Sequence, residues 1–217
     1  MDTATADFYT RYARSLTVSP EARRSAMLAH VESSLCPGAS ILDVGAGSGR
    51  DVAAMVEGGF DAFGVEPSLD MLAFACHAHP SLASRLAQAS LPRLGRPFSE
   101  RLPDGFDAVV CSAVLMHLQP GELAQALESM VDQLRAPRCD DVEAKVPALL
   151  ISLPCLDSSR LVGNRDADGR RFHNHEPEKV RDHLGSNGLL LERSIDSEAV
   201  LAATGTHWTT LIFRRPG

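Results

Sequence analysis

The chain has 217 residues, 44% of them hydrophobic, with 21 Lys and Arg against 28 Asp and Glu for a formal net charge of −7. No block of five or six basic residues occurs, so a grip on nucleic-acid phosphate is not expected, and no run reaches the roughly 18 apolar residues of a membrane span. The length suits one domain with a full core. Five cysteines without a C-x-x-C pair fit reduced thiols. With no apolar signal region in residues 1–7, a cytoplasmic location is expected.

In chain order, residues 6–16 carry Phe8, Tyr9 and Tyr12 and predict a short helix. Ser19-Pro20-Glu21 reads as a helix start, with serine as N-cap, proline at the first position and an acid in the first turn. Met27, Leu28, Val31 and Leu35 then recur at helical period, and Cys36-Pro37-Gly38 ends the run. Residues 40–44 read as a buried strand, followed by Gly45, Gly47 and Gly49 and a helix over 51–57. The next strand is 61–65, with Glu66 at its end. Pro67-Ser68 opens a helix whose apolar side is read as Leu69, Leu72, Ala73 and Cys76, stopped by His79-Pro80. A short third strand lies near Leu86 and Ala87, and an Arg/Pro-rich loop leads to a fourth buried strand over 106–112. Residues 121–134 predict an amphipathic helix with Leu123, Leu127, Met130 and Leu134 in register. Residues 136–146 read as an exposed polar loop, 148–153 as the fifth strand, and 154–175 as irregular. A helix over 177–184, closed by Gly185 or Gly188, precedes the last strands at 189–192 and 208–213. This alternation predicts an α/β architecture with a mainly parallel sheet and helices on both faces.

The chemistry centres on the first strand and its turn. Strand, glycine turn and helix leave bare backbone where a ligand can lie, since glycine accepts positive φ and presents no side chain. N–H groups at the helix start point into the same gap. An acid about 20 residues beyond such a turn takes ribose hydroxyls in nucleoside-binding α/β folds, and Glu66 is so placed. The dinucleotide fingerprint has its third glycine where this chain has Arg50, which argues against a nicotinamide-dependent dehydrogenase.

Leu42-Asp43-Val44-Gly45-Ala46-Gly47-Ser48-Gly49 resembles motif I of the class I S-adenosylmethionine-dependent methyltransferases, and the resemblance extends from about residue 40 onward. It implies a Rossmann-like fold: a mainly parallel seven-stranded sheet with an antiparallel terminal strand. It implies one domain over 1–217, with a helical lid at 1–38, a cofactor half at 39–135 and a substrate side at 148–217. S-adenosylmethionine is then the cofactor and S-adenosylhomocysteine the product, with no metal. The residues implied to hold it are Tyr12, Asp43, Gly45, Ala46, Gly47, Gly49, Asp51, Glu66, Pro67, Ser68 and Met71, then Ala89, Ser90 and Leu91, then Cys111, Ser112 and Ala113. The acid often found beside the adenine is missing, which leaves Ser90 or the backbone of Ala89 for that role. Residues 111–118 resemble the family's segment after strand four, which lines the methionine arm and places His117 at the following turn.

His117 is the candidate general base, because an imidazole titrates near neutral pH; the competing role is structural. Tyr9 and Tyr12 either close over the cofactor or dock the first helix. Cys111 reads as packing rather than a nucleophile. Pro154-Cys155 stands after the fifth strand rather than the fourth, where cytosine-5 enzymes carry their nucleophile. His173-Asn174-His175 lacks a third metal ligand. Tyr9, Met116, Arg170, Arg171, His173 and Trp208 are the candidate acceptor-side residues. The arginine excess there can receive an anionic acceptor such as a carboxylate, or it is an ordinary solvated loop. The expected partner is a small molecule, with no nucleic acid and no membrane, and a monomer or homodimer. The expected function is methyl transfer to that molecule, at an undetermined O, N or C atom. The alternative is a non-catalytic S-adenosylmethionine-binding partner subunit.

Overall fold

A computed structural model describes residues 1–18, 25–138, 146–198 and 206–217. Its centre is β1 (Ser40–Val44), whose five residues are all buried. A strand covered on both faces reads as a continuous apolar run rather than an alternation, as Ile41-Leu42-Asp43-Val44 nearly does. It pairs in parallel with β2 (Asp61–Val65) on one side and β4 (Ala108–Ser112) on the other. β3 (Leu86–Ala87) adds to β2, and β5 (Ala148–Leu156) adds to β4, both in parallel. β7 (Thr206–Arg214) runs antiparallel to both β5 and β6 (Leu190–Glu198). The order is β3-β2-β1-β4-β5-β7-β6, the expected seven-stranded sheet with one reversed strand. The chain leaves β1 towards β2 and β3, then returns to build β4 and β5 on the other side. That reversal opens a crevice beyond the carboxyl ends of β1 and β4.

Alternate residues of the strands feed two cores, one on each face. Ile41, Val110, Leu150 and Ile212 meet Met27, Leu28 and Val31 of α2 (Ala26–Ser34) and Val52 and Met55 of α3 (Arg50–Glu57). Leu42, Val109, Leu149 and Phe213 meet Leu127 and Met130 of α5 (Leu123–Val131) and Val180 and Leu184 of α6 (Pro177–Ser186). Asp107 ties β4 to the start of β1. Its carboxylate accepts from the Ser40 amide (2.8 Å) and hydroxyl (2.9 Å) and from Arg135 Nε (2.5 Å). Burial opposes its ionisation, but the Arg135 and Ser40 hydrogen bonds outweigh that and hold its pKa low.

α1 (Thr3–Ser15) lies along α4 (Leu69–Ala78). Thr10 Oγ1 donates to Asp70 (3.1 Å), and Arg14 stands 3.6 Å from the same carboxylate. α4 differs from its expected orientation. Its buried residues are Met71 and Ala75, while Leu69 is 64% exposed and Ala73 is exposed. Apolar residues occupy most of that helix's circumference, so periodicity alone does not choose the inward side. α5 is also shorter than expected. It stops at Val131, and Leu134 leaves it to bridge Phe106 ahead of β4. β5, β6 and β7 run longer, because the antiparallel ladders continue past the apolar residues. α6 ends at Ser186, with Gly188 at φ +82° beyond it. The expected helix start at Ser19-Pro20-Glu21 and most of the 136–146 loop lie outside the described residues. Among the described residues, no helix is long and apolar enough to cross a membrane.

Candidate cofactor and acceptor site

The glycine turn leaves β1 at the crevice. Gly45 adopts φ +83°, and a Cβ there would overlap the Val114 side chain. The Gly45 and Ala46 amides donate to the Val65 carbonyl at 2.8 and 3.0 Å, which ties the turn to the end of β2. β2 then delivers Glu66, which is 6% exposed. Its two carboxylate oxygens accept one amide each, from Gly47 (3.1 Å) and from Ser68 (3.0 Å). Burial raises the Glu66 pKa, and these two bonds only partly offset it. A carboxylate has about four lone-pair sites, so roughly two remain for a ligand. Ser68 caps α4 by accepting from the Met71 amide (3.3 Å). Behind the turn, burial and the neighbouring Asp51 and Glu66 charges push Asp43 up to about 8, against the pull of Arg50.

A cavity of about 100 Å³ opens on this turn. Gly45, Gly47, Glu66 and Pro67 form one wall, and Ala89, Ser90 and Leu91 a second. Ala113, Val114, His117 and Leu118 form a third, and Tyr9 and Met1 close it. Ala113 sits at φ +58°, a conformation that costs a non-glycine residue of order 1 kcal/mol and clusters at ligand sites. A second, open depression between the 92–96 loop and α5 carries Arg93, Arg96, Glu128 and Asp132. Its two cations and two anions balance, and none of its lining comes from the glycine turn.

Eight of the expected cofactor residues line the cavity: Gly45, Gly47, Glu66, Pro67, Ala89, Ser90, Leu91 and Ala113. The others do not. Asp43, Ala46, Ser68 and Met71 are buried outside its lining, where they brace it. Gly49 caps α3 at φ +74°, and Asp51 pairs with Arg50 at 3.1 Å. Cys111 belongs to the core, where burial, then the Asp43 charge, drives its thiol pKa far up. Ser112 Oγ bonds Ser152 Oγ at 2.9 Å. Tyr12 is 42% exposed and stacks on Phe8. Val114 and Leu118 were not expected to line the cavity, although the 111–118 motif contains both.

The other end of the site comes from distant segments. A 3-10 turn, Leu115–His117, follows β4. His117 Nδ1 lies 2.7 Å from the Arg171 carbonyl, and Nε2 lies 2.9 Å from the Tyr9 hydroxyl. A carbonyl only accepts, so Nδ1 carries the hydrogen, and the neutral ring takes the Tyr9 proton at Nε2. Burial lowers the His117 pKa, helped by Arg170 and opposed by the Arg171 bond and the charges of Asp166 and Asp2. Burial likewise raises that of Tyr9, against the pull of Arg170. Residues 165–175 pack over this turn, anchored by buried Phe172. The His173 amide donates to Met116 O, and His175 Nε2 bonds Leu115 O, both at 2.8 Å.

The same segment clamps α1. Arg165 pairs with Asp2 at 2.9 Å, and the Arg171 amide donates to Thr5 Oγ1 at 2.8 Å. Arg170 lies over the Phe8 ring at 4.6 Å and pairs with Asp166 at 2.7 Å. The Arg171 guanidinium stands 3.6 Å from Asp2 and 4.0 Å from Glu122. The expectation that Arg170 and Arg171 receive an anionic acceptor therefore meets an obstacle, because carboxylates of the chain itself already face both. Met116 is buried, His173 is half-buried, and Trp208 sits on β7 opposite Pro154. None of the three lines the cavity; of the expected acceptor-side residues, only Tyr9 does. Asn174 bonds both the amide (3.0 Å) and the carbonyl (2.7 Å) of Leu156, so this histidine-flanked residue is a structural tie. Among the described residues, no three His, Cys, Asp or Glu side chains are grouped to hold a metal ion.

The reversed sheet order, the glycine turn at the crevice and the acid closing β2 define a Rossmann-like fold of the class I methyltransferase type. Residues 41–136 match the family model described as a methyltransferase domain. Solved structures share the fold. The N-methyltransferase NodS from Bradyrhizobium japonicum, in complex with S-adenosylhomocysteine, is 16% identical with a TM-score of 0.67 over 100% of both chains. The 1,6-didemethyltoxoflavin-N1-methyltransferase of Burkholderia thailandensis is 19% identical with a TM-score of 0.67, over 98% of this chain and 87% of that one. The [4+2]-cyclase SpnF is 15% identical with a TM-score of 0.63, over 98% and 93%. The comparison with curated proteins returns no match.

Proposed function

We propose that this protein transfers the methyl group of S-adenosylmethionine to a small-molecule acceptor. The observation that carries the reading is Glu66. A buried carboxylate at the cavity floor, held by two backbone amides with a lone pair free on each oxygen, suits a vicinal ribose diol. Gly47 lets the ligand approach the backbone, while Ala89, Ser90 and Leu91 enclose the adenine. Ala113, Val114 and Leu118 flank the methionine arm. The carboxylates of Asp51 and Glu66, whose charges join burial in keeping Asp43 protonated, give the turn the negative character that a sulfonium and an ammonium require. When bound, the cofactor supplies an activated methyl group, so the protein's task is to align the acceptor and exclude water. The cavity of about 100 Å³ is below the roughly 300–1,000 Å³ of a ligand site, so α1 serves as a lid that lifts to admit ligand.

NodS and the toxoflavin enzyme are both named as N-methyltransferases, which supports a small-molecule acceptor. The cyclase shares the fold, so fold alone does not carry methyl transfer. A metabolite panel with purified protein and S-adenosylmethionine separates the cases. Acceptor-dependent release of S-adenosylhomocysteine, in step with a methylated product, is the expected result. Tight cofactor binding without release across the panel favours a non-catalytic binding subunit instead.

A further inference from the structure

We infer that the Tyr9 hydroxyl takes the proton of the methyl acceptor, that His117 receives a proton behind it, and that the acceptor is a hydroxyl or neutral N–H compound rather than a carboxylate. This rests on the methyl-transfer reading above. The argument is a count of hydrogens and lone pairs. The Arg171 carbonyl 2.7 Å from His117 Nδ1 fixes a hydrogen on that nitrogen. Nε2 of the neutral ring is then a lone pair, and the Tyr9 hydroxyl 2.9 Å away must donate to it. Both Tyr9 and His117 line the cavity, but the basic nitrogen of His117 is covered by Tyr9. What the pair offers a ligand is the Tyr9 oxygen, which accepts from Arg170 and keeps one lone pair for a donor, with its own proton turned away. Such an oxygen recognises a donor. A carboxylate brings only lone pairs, while the Arg170 guanidinium is already held by Asp166 and the Tyr9 oxygen and that of Arg171 stands against Asp2 and Glu122.

The step balances. The acceptor's proton moves to Tyr9 Oη as the Tyr9 proton moves to His117 Nε2. The new bond forms between the acceptor atom and the methyl carbon. The carbon–sulfur bond breaks with its electron pair left on sulfur, which gives the neutral thioether. The His117 imidazolium, still bonded to the Arg171 carbonyl, then returns its proton to solvent. Arg170, beside the Tyr9 oxygen, stabilises negative charge developing there. Tyr9 is the catalytic residue in this scheme, and His117 is a positioning and relay residue. When His117 is protonated, Nε2–H donates to Tyr9 and turns the phenol proton into the cavity, so activity falls towards acid. The charged groups facing the pair are Asp2 at the N-cap of α1, Asp166 and Arg170 from the 165–175 segment, and Glu66 from the end of β2.

The test uses the full chain as wild type, Tyr9→Phe and His117→Gln. Tyr9→Phe keeps the edge-to-face contacts with Phe8 and His117. Nitrogen NMR of the His117 ring at neutral pH should show Nδ1 protonated and Nε2 bare. S-adenosylhomocysteine release is then followed over a panel of phenols, alcohols, amines and carboxylic acids. Turnover is expected with hydroxyl or amine members only, with an acid limb in kcat/KM at the NMR midpoint of His117. Tyr9→Phe should lower kcat about 100-fold or more with S-adenosylmethionine affinity unchanged, and His117→Gln should lose the acid limb. A protonated Nε2, wild-type kcat in Tyr9→Phe, or a carboxylic acid as the best acceptor each overturns the proposal. A wild-type protein that binds the cofactor yet releases no product with any member fails the methyl-transfer reading itself, and the inactive wild type tells that failure apart from the others.

Discussion

The two ends of the cavity are built by opposite strategies. The proposed cofactor end is built around about twenty-five consecutive residues, Val44 to Ser68, whose key bonds are backbone to backbone or backbone to Glu66, with walls added by residues 89–91 and 113–118. The acceptor end joins residues 2–9, 115–117 and 165–175, about 50 to 170 residues apart in sequence, largely through side-chain bonds. A turn fixed by φ angles and parallel strands is rigid before ligand arrives. An edge held by a half-exposed ion pair and single hydrogen bonds can open and reclose at small cost. On the proposed reading, the glycine turn is a preformed socket and α1 its cover.

The largest effect should come from attacking the socket's geometry. Gly45→Ala forces a methyl into Val114 at positive φ, and the combined overlap and strain should cost about 3 kcal/mol, or roughly 6–12 °C in Tm, read by calorimetry. Gly47→Val puts its Cβ in ordinary contact with Met71 Cε (3.7 Å) and the Gly45 carbonyl oxygen (3.9 Å), but at φ +53°. It should cost about 1–2 kcal/mol of stability and abolish cofactor binding, separating the turn's role in folding from its role in binding. Asp43→Asn changes a pH slope. The folded carboxyl titrates at about 8 against about 4 in the unfolded chain, so the native state holds a proton that the unfolded state releases. Stability therefore falls as pH rises across that window, and chemical denaturation of the variant should show this component gone. The cover should give the smallest effect. Arg165→Ala removes a partly exposed pair with Asp2 and should cost only about 0.5 kcal/mol. It should nonetheless raise hydrogen exchange along α1 and speed cofactor association; an unchanged association rate would show that α1 does not gate entry.

The socket was legible in the sequence for the reason it is rigid. Its instructions are local: an apolar run, glycines where φ is positive, and an acid one strand later. Glu66 follows from that spacing, and the wall at Ala89 and Ser90 from the family resemblance. Side-chain direction was less legible. Cys111 alternates into the core, and Met71 and Ala75, not Leu69, face inwards on α4. Periodicity in a strand covered on both faces, or in a helix apolar nearly all round, does not say which side meets a ligand. At the acceptor edge the sequence marked Tyr9 and His117 separately but held nothing to join them. It also counted arginines without showing that Asp2, Asp166 and Glu122 stand against them.

The most direct measurement is isothermal calorimetry of S-adenosylmethionine with the wild type and Glu66→Ala side by side. Charge-assisted hydrogen bonds contribute about 1.5–3 kcal/mol. The account therefore predicts that the wild type binds and that the variant, still folded, binds roughly one to two decades more weakly. Equal affinities, or a wild type that takes up no cofactor, would contradict the placement of the ribose on Glu66 and with it the assignment of the site.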